Sequence, residues 1–379
     1  MNPPVALHEA RRRAARRRAA GVAPDFDPAR LALARRLAAL PRTRLGALVG
    51  VTPSAITQYE KGQSTPTLPV LDQLAEHLAV PVAFFRAGRA LPALPAGGAH
   101  FRSLRSTTAL QREQALAFGE LALAVFAAVE DHIELPAPAL PELDVPTELT
   151  AADIARLAGQ TRQLLGVPTG PIPHMVRLLE AHGVLVVRLD EVSYGVDAFS
   201  HQQEHRPLVM LNPAKQDKAR GRFDAAHELG HLLMHPDVEP GSRLVEREAH
   251  RFAAEFLAPA DEIVDDLPSR LDWAVLHQLK RRWGISLKAL VLRARALGRI
   301  TDTTYRRGMQ QLTAWGLPER CSLGPPEAPI LLPRAVHLMG LDEHHALDVL
   351  AAAAGLPPSE VWRIWGAAGG EETRPVLRL

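Results

Sequence analysis

A single cysteine, Cys321, stands among 379 residues. One thiol cannot close an intramolecular disulfide or build a cysteine-rich zinc module, and it suits a reducing, cytoplasmic setting. Long apolar runs are missing as well. The longest, "LALAVFAAV" at 121–129, falls far short of the roughly 20 residues a membrane span requires, so no membrane association is expected. The basic N-terminus has no apolar segment behind it and does not read as a secretory signal. No long-period repeat occurs.

Overall charge is scant, only +2, but it is unevenly spread. Residues 1–90 hold 14 Lys or Arg against 6 Asp or Glu, which makes that segment +8 and the remainder −6. Such asymmetry predicts an N-terminal part drawn to polyanions and a mildly acidic rest. Much of the positive charge lies in the arm "ARRRAARRR" at 10–18.

Two proline-rich stretches, "AGRALPALPAGGA" (87–99) and "LPAPALPELDVP" (135–146), punctuate the chain. Between them, apolar residues at helical spacing from Leu110 to Leu135 predict a long helix docked along one face. Three apolar segments, 183–189, 195–200 and 206–212, read as strands, and 217–313 reads as helical. The expected class is mainly α with a small β-sheet (α+β). It divides into a basic arm (1–27), an all-helical helix-turn-helix domain (28–86), a linker with a long helix (87–146), a mixed domain (147–315) and a small helical C-terminal cap (316–379).

Within 31–85 the pattern of a DNA reader is legible. Gly50 can close a first helix in the left-handed conformation, Thr52 can cap the next, and Pro53 suits its first turn. Ile56 points inward, whereas Ser54, Thr57, Gln58 and Lys61 lie on the outer face, where hydroxyl, amide and ammonium groups can meet double-stranded DNA. The stretch "LGALVGVTPSAITQYEKG" with "TPTLPVLDQLAEHLAVP" closely resembles the phage-repressor (XRE/Cro) helix-turn-helix family. That resemblance implies DNA binding, often as a homodimer. Arg42 stands where the family often has a glutamine that supports base contacts.

Downstream, "AAHELGHLLMH" (225–235) places His227 and His231 four residues apart, about 6 Å of helical rise on one face, close enough to share a metal ion. Glu228, next to the first histidine, is free to take a proton from the attacking water instead of ligating. A tetrahedral catalytic zinc requires a third protein ligand. The metzincin extension would need a glycine at position 234 and a histidine at position 237, but Met234 and Asp237 stand there, so that class is excluded. In "VEREAHRFAAEFLAP" (245–259), Glu248 lies one turn before Phe252 and can enter the site, with Glu246 and Glu255 as competitors. His235, Tyr194 and Arg222 are candidates for steadying an oxyanion or supporting a ligand. The segment "LVMLN" (208–212) is a candidate edge strand on which a substrate peptide could add in extended form.

The pair "RFDAAHELGHLLMH" and "EREAHRFAAEFLAP", behind a strand ending "LVMLN", resembles the ImmA/IrrE family of metallopeptidases across roughly 150–315. The resemblance implies a gluzincin-like site holding one catalytic Zn²⁺, with ligands His227, His231 and Glu248 and catalytic Glu228. It also implies a substrate among repressor or antitoxin-like proteins, in a stress or mobile-element response. The alternative is a DNA-binding regulator whose peptidase-like domain senses metal, peptide or partner with little turnover.

Overall fold

A computed structural model describes residues 25–86, 88–95, 98–101, 107–189, 196, 198–202, 206–212, 217–236, 238 and 242–369. The arm at 10–18, Tyr194 and Asp237 lie outside the described residues. The chain divides into two compact units, one of residues 1–93, 108–132 and 340–362, the other of 94–107, 133–339 and 363–379.

The first unit opens with α1 (Pro28–Leu37), α2 (Arg42–Val49), α3 (Pro53–Glu60) and α4 (Leu68–Leu78), followed by a 3₁₀ turn at Val82–Phe85. Local chemistry sets each boundary. Asp27 caps α1, and Gly50 ends α2 at φ 71°, where a side chain would strain the backbone. Thr52 Oγ1 accepts from Ala55 N at 3.1 Å to start α3. At Gly46 a Cβ would stand 2.8 Å from the Val51 carbonyl oxygen, so the glycine lets the α2–α3 turn fold back on its own helix. Leu45, Ile56, Leu74 and Phe84 fill the interior. The carboxylate of Glu60 is buried between Arg35 and Arg42.

The long helix α5 (Ala109–Glu130) begins with a Thr108–Gln111 capping box. It is buried nearly all round from Gln114 to Phe126, rather than along one face as its spacing predicts. Small residues at 115, 117, 119, 122 and 124 let α1 and α15 (Glu343–Ala354) approach it. The polar groups inside are matched: Glu120 pairs with Arg36, and Gln114 Nε2 donates to the Leu37 carbonyl at 2.8 Å.

The second unit holds a four-stranded sheet in the order β1 (Ala99–Phe101), β3 (Ala198–His201), β4 (Leu208–Leu211), β2 (Leu185–Arg188). β2 and β4 run parallel, whereas β3 is antiparallel to both β4 and β1. Three strands fall where alternation and apolar runs predict them, and β1 is an addition that its three residues could not announce. The expectation of an edge at 208–212 is corrected. β4 is paired on both sides and wholly buried, so its backbone has no lane to offer.

Around the sheet lie α6 (Ala151–Leu164), α7 (Met175–Ala181), α8 (Lys218–Met234) and α9 (Arg243–Leu257), with further helices from α10 (Ala260–Ile263) through α11 (Trp273–Trp283), α12 (Leu287–Ala296) and α13 (Asp302–Trp315) to α14 (Leu331–Leu338). Leu229, Leu233, Phe252, Phe256, Trp283 and Leu290 belong to one continuous core with Val186 and Val209 of the sheet. α8 crosses β3 and β4 and packs against α9, which in turn covers α6. The α+β class expected from the sequence is the class observed.

Glu180, on α7, accepts the backbone N–H groups of Ile330 (3.0 Å) and Leu331 (2.9 Å) and so caps α14. Burial pushes its carboxyl up to about 7, against the opposing pull of those two N–H groups. Folding therefore takes up a proton in the window between the ordinary value near 4.5 and about 7. Stability from this group is full at acid pH and is lost as pH rises through that window, by about 3 kcal/mol. Urea midpoints measured from pH 4.5 to 8 should show Glu180→Gln flattening this fall; an unchanged slope would contradict the assignment.

Candidate metal centre and nucleic-acid interface

The period of α8 puts His227 and His231 on one face, and the structure brings their Nε2 atoms to 3.1 Å from each other. Glu246, in the first turn of α9, faces the same point: Oε2 lies 3.4 Å from His227 Nε2 and Oε1 3.4 Å from His231 Nε2. Two donors at 2.0–2.1 Å from one tetrahedral ion stand about 3.4 Å apart. Each Glu246 oxygen thus stands from its nearer histidine nitrogen at the spacing of two donors on one ion, and the two histidine nitrogens are slightly closer together. Among the described residues these three also form the one cluster of His, Cys, Asp and Glu whose ligand atoms gather tightly enough, within 4.8 Å, to hold an ion. Burial pushes the Glu246 carboxyl up, but hydrogen bonds and charge from the two histidines outweigh it and hold the group at about 2. It is a carboxylate at neutral pH.

Glu228 is fully buried, and its Oε2 accepts the Ser200 hydroxyl at 2.8 Å, which ties it to β3. Ser200 was not foreseen, because a serine ending a predicted strand carries no distinguishing mark in sequence. His250 is a second addition, its ring 5.0 Å from that of His227 and exposed, one helical turn after Glu246.

Glu248, the ligand implied by resemblance, stands elsewhere. Its Oε2 lies 3.0 Å from His235 Nε2, and His235 Nδ1 lies 3.3 Å from His231 Nδ1. Residues 246 and 248 are two apart on a helix, about 200° around its axis, so only one can face the histidine pair. With Glu248 ionised, His235 Nε2 carries a proton, because a carboxylate only accepts. In the neutral form of His235 its Nδ1 accepts from His231 Nδ1–H, the tautomer in which His231 Nε2 offers a lone pair to a metal. Burial pushes the Glu248 carboxyl up, with Arg247 opposing.

Arg222 is placed away from this centre, in a buried ion pair with Glu327, and its Nη2 donates to the Ile172 carbonyl at 2.7 Å. Five residues before His227, it projects about 140° around the helix from that histidine. Glu255, the remaining competitor, is held by Arg293 Nη1 at 2.6 Å.

Residues 179–295 match the IrrE N-terminal-like domain of the Peptidase M78 group, and residues 31–85 match a helix-turn-helix family. The chain joins a helix-turn-helix domain to an IrrE-like domain of the Peptidase M78 group. No curated protein matches it. The histidine–carboxylate cluster lies inside the IrrE-like match, and its residues come from the two helices, α8 and α9, that pack most closely there.

In the helix-turn-helix domain the foreseen outer face divides by what each side chain already does. Thr52 is engaged as a cap, Thr57 Oγ1 donates to the Pro53 carbonyl at 3.0 Å, and Arg42 Nε lies 2.6 Å from Glu60. Ser54, Gln58 and Lys61 are exposed along α3. Among the described residues no helix is long and apolar enough to cross a membrane.

Proposed function

We propose that the chain is a cytoplasmic, DNA-binding transcriptional regulator whose IrrE-like domain is a zinc-dependent endopeptidase, acting on a repressor or antitoxin-like protein in a stress or mobile-element response. One observation carries this reading: His227, His231 and Glu246 converge at metal-ligand spacing, with Glu228, the residue after His227, fully buried on the same helix. Histidine and carboxylate donors suit zinc, and three of them leave a position open. A zinc ion held there supplies a Lewis acid that activates water and polarises a peptide carbonyl.

The protein's own residues supply the rest. Glu228 takes the proton from the attacking water and returns it to the departing amine. Ser200 fixes which carboxylate oxygen faces the reaction, because its hydroxyl occupies Oε2. Glu248 and His235 act behind His231 and hold its ring in the ligating tautomer. Removing such a support typically weakens metal affinity by about 10–100-fold. A chelator-competition titration of Glu248→Gln should show a loss in that range, and wild-type affinity would remove the relay from the account.

Incubating the zinc-loaded chain with repressor candidates and resolving the products by mass spectrometry tests the proposal. Discrete fragments that vanish on chelation and return with zinc are expected. The fused reader favours a second reading, a metal- or peptide-sensing module with little turnover, and intact candidates in every arm would turn the account to it.

For the reader domain, Lys61→Ala should weaken binding to all duplex sequences alike and lower the salt slope by about 1, whereas Gln58→Ala should relax sequence preference. Titrations of labelled duplexes at three salt concentrations distinguish the two. A salt-independent affinity would contradict DNA binding through this face.

A further inference from the structure

The outer backbone edge of β3, the strand nearest Glu228 through Ser200, is covered by another part of the chain. β3 carries Ser200, the residue that touches Glu228. One side of β3 is paired with β4 and the other with β1, in antiparallel register: Ala99 opposite His201, His100 opposite Ser200, Phe101 opposite Phe199. Strands β2, β3 and β4 lie inside the IrrE-like match at 179–295, but β1 comes from a segment far upstream of it. That segment is seated closely. Ala99 is fully buried, a Cβ at Gly98 would stand 3.0 Å from His201 Nε2, and the same nitrogen lies 3.1 Å from the Pro95 carbonyl oxygen. His227, Glu228 and His231 are without solvent exposure in this arrangement.

We propose that β1 is a built-in occupant of the substrate lane. Residues 99–101 take the place along β3 that an extended substrate backbone would take, and they must leave before a protein reaches Glu228. The proposal rests on the metallopeptidase reading above and names a regulation of that site. Strand addition draws its affinity from main-chain hydrogen bonds, so an unrelated sequence can compete for the same edge. Three residues offer few such bonds, but the tether gives β1 a high effective concentration. The result is a strand that excludes casual peptides and yields to one that pairs over a longer stretch.

The test uses the full chain loaded with zinc, as wild type, His100→Pro and Phe101→Pro. Successive residues of a strand aim their N–H groups to opposite sides, so one of the two prolines removes a bond to β3. Two probes are titrated by calorimetry: a tripeptide hydroxamate, which pairs along an edge and binds the metal, and acetohydroxamate, which binds the metal only. Hydrogen exchange at residues 199–201 reports whether β1 has left. The effective proline variant should lose protection at 199–201 and bind the tripeptide probe at least tenfold more tightly than wild type, with acetohydroxamate unchanged. Equal tripeptide affinity in all three proteins overturns the proposal, as does an equal gain for both probes, which would mean that the metal and not the lane was uncovered. Zinc bound to none of the proteins would overturn the metallopeptidase reading, and the proposal with it, and zinc content shows this before either probe is added.

Discussion

Glu246→Gln is expected to lower zinc affinity by well over 100-fold, beyond the roughly 10–100-fold typical of residues that only support a ligand. The carboxylate lies 3.4 Å from both histidine nitrogens and is held ionised by them, so it supplies a donor and a negative charge together. Glutamine keeps the size, offers one weaker oxygen and loses the charge. Three carboxylates on α9 can be ranked in one chelator-competition series. Glu246→Gln should have the largest effect, Glu248→Gln a smaller one through His235, and Glu255→Gln none, since Glu255 is occupied by Arg293. If Glu248→Gln instead proved the most damaging, Glu248 would be the ligand that the family resemblance implies.

The second large effect concerns Glu228. Its replacement by glutamine preserves shape, and the Ser200 hydroxyl can still donate to the amide oxygen, so zinc content should be unchanged. An amide cannot accept the proton of the attacking water at neutral pH. Cleavage of a repressor substrate should therefore fall by about 10²–10⁴-fold, the usual contribution of a positioned general base. Equal cleavage by the two proteins, with zinc retained in both, would remove the enzymatic role from Glu228.

How far the sequence carries depends on whether a residue's role is written in local spacing. His227, Glu228 and His231 are legible because one helix dictates their relation, and the α2–Gly50–α3 turn is legible because Gly50, Thr52 and Pro53 each answer a local backbone need. Which carboxylate joins the histidine pair depends on two helices. On α9 the apolar stripe of Val245, Ala249, Phe252 and Phe256 has Glu246 on one flank and Glu248 on the other, each within about 90° of it. Periodicity brings both near the core, and only the side on which α8 presents its histidines separates them. Arg222 misled for a related reason: proximity in sequence to His227 is not proximity on the helix surface. Ser200 and β1 depend on pairing between distant segments, and a three-residue strand has too little alternation to register. The burial of α5 escaped because its alanines fit an exposed or an enclosed helix equally well, and only the neighbours decide.

Zinc-edge X-ray absorption on the zinc-loaded chain reads the ligand set itself. A four-coordinate ion is expected, with two imidazole nitrogens at about 2.0–2.1 Å and the remaining donors oxygen. The same two-imidazole signature should persist in Glu228→Gln and in Glu248→Gln. Three imidazoles, which would bring His235 in as a ligand and close the open position, or a chain that takes up no zinc, would contradict this ligand set.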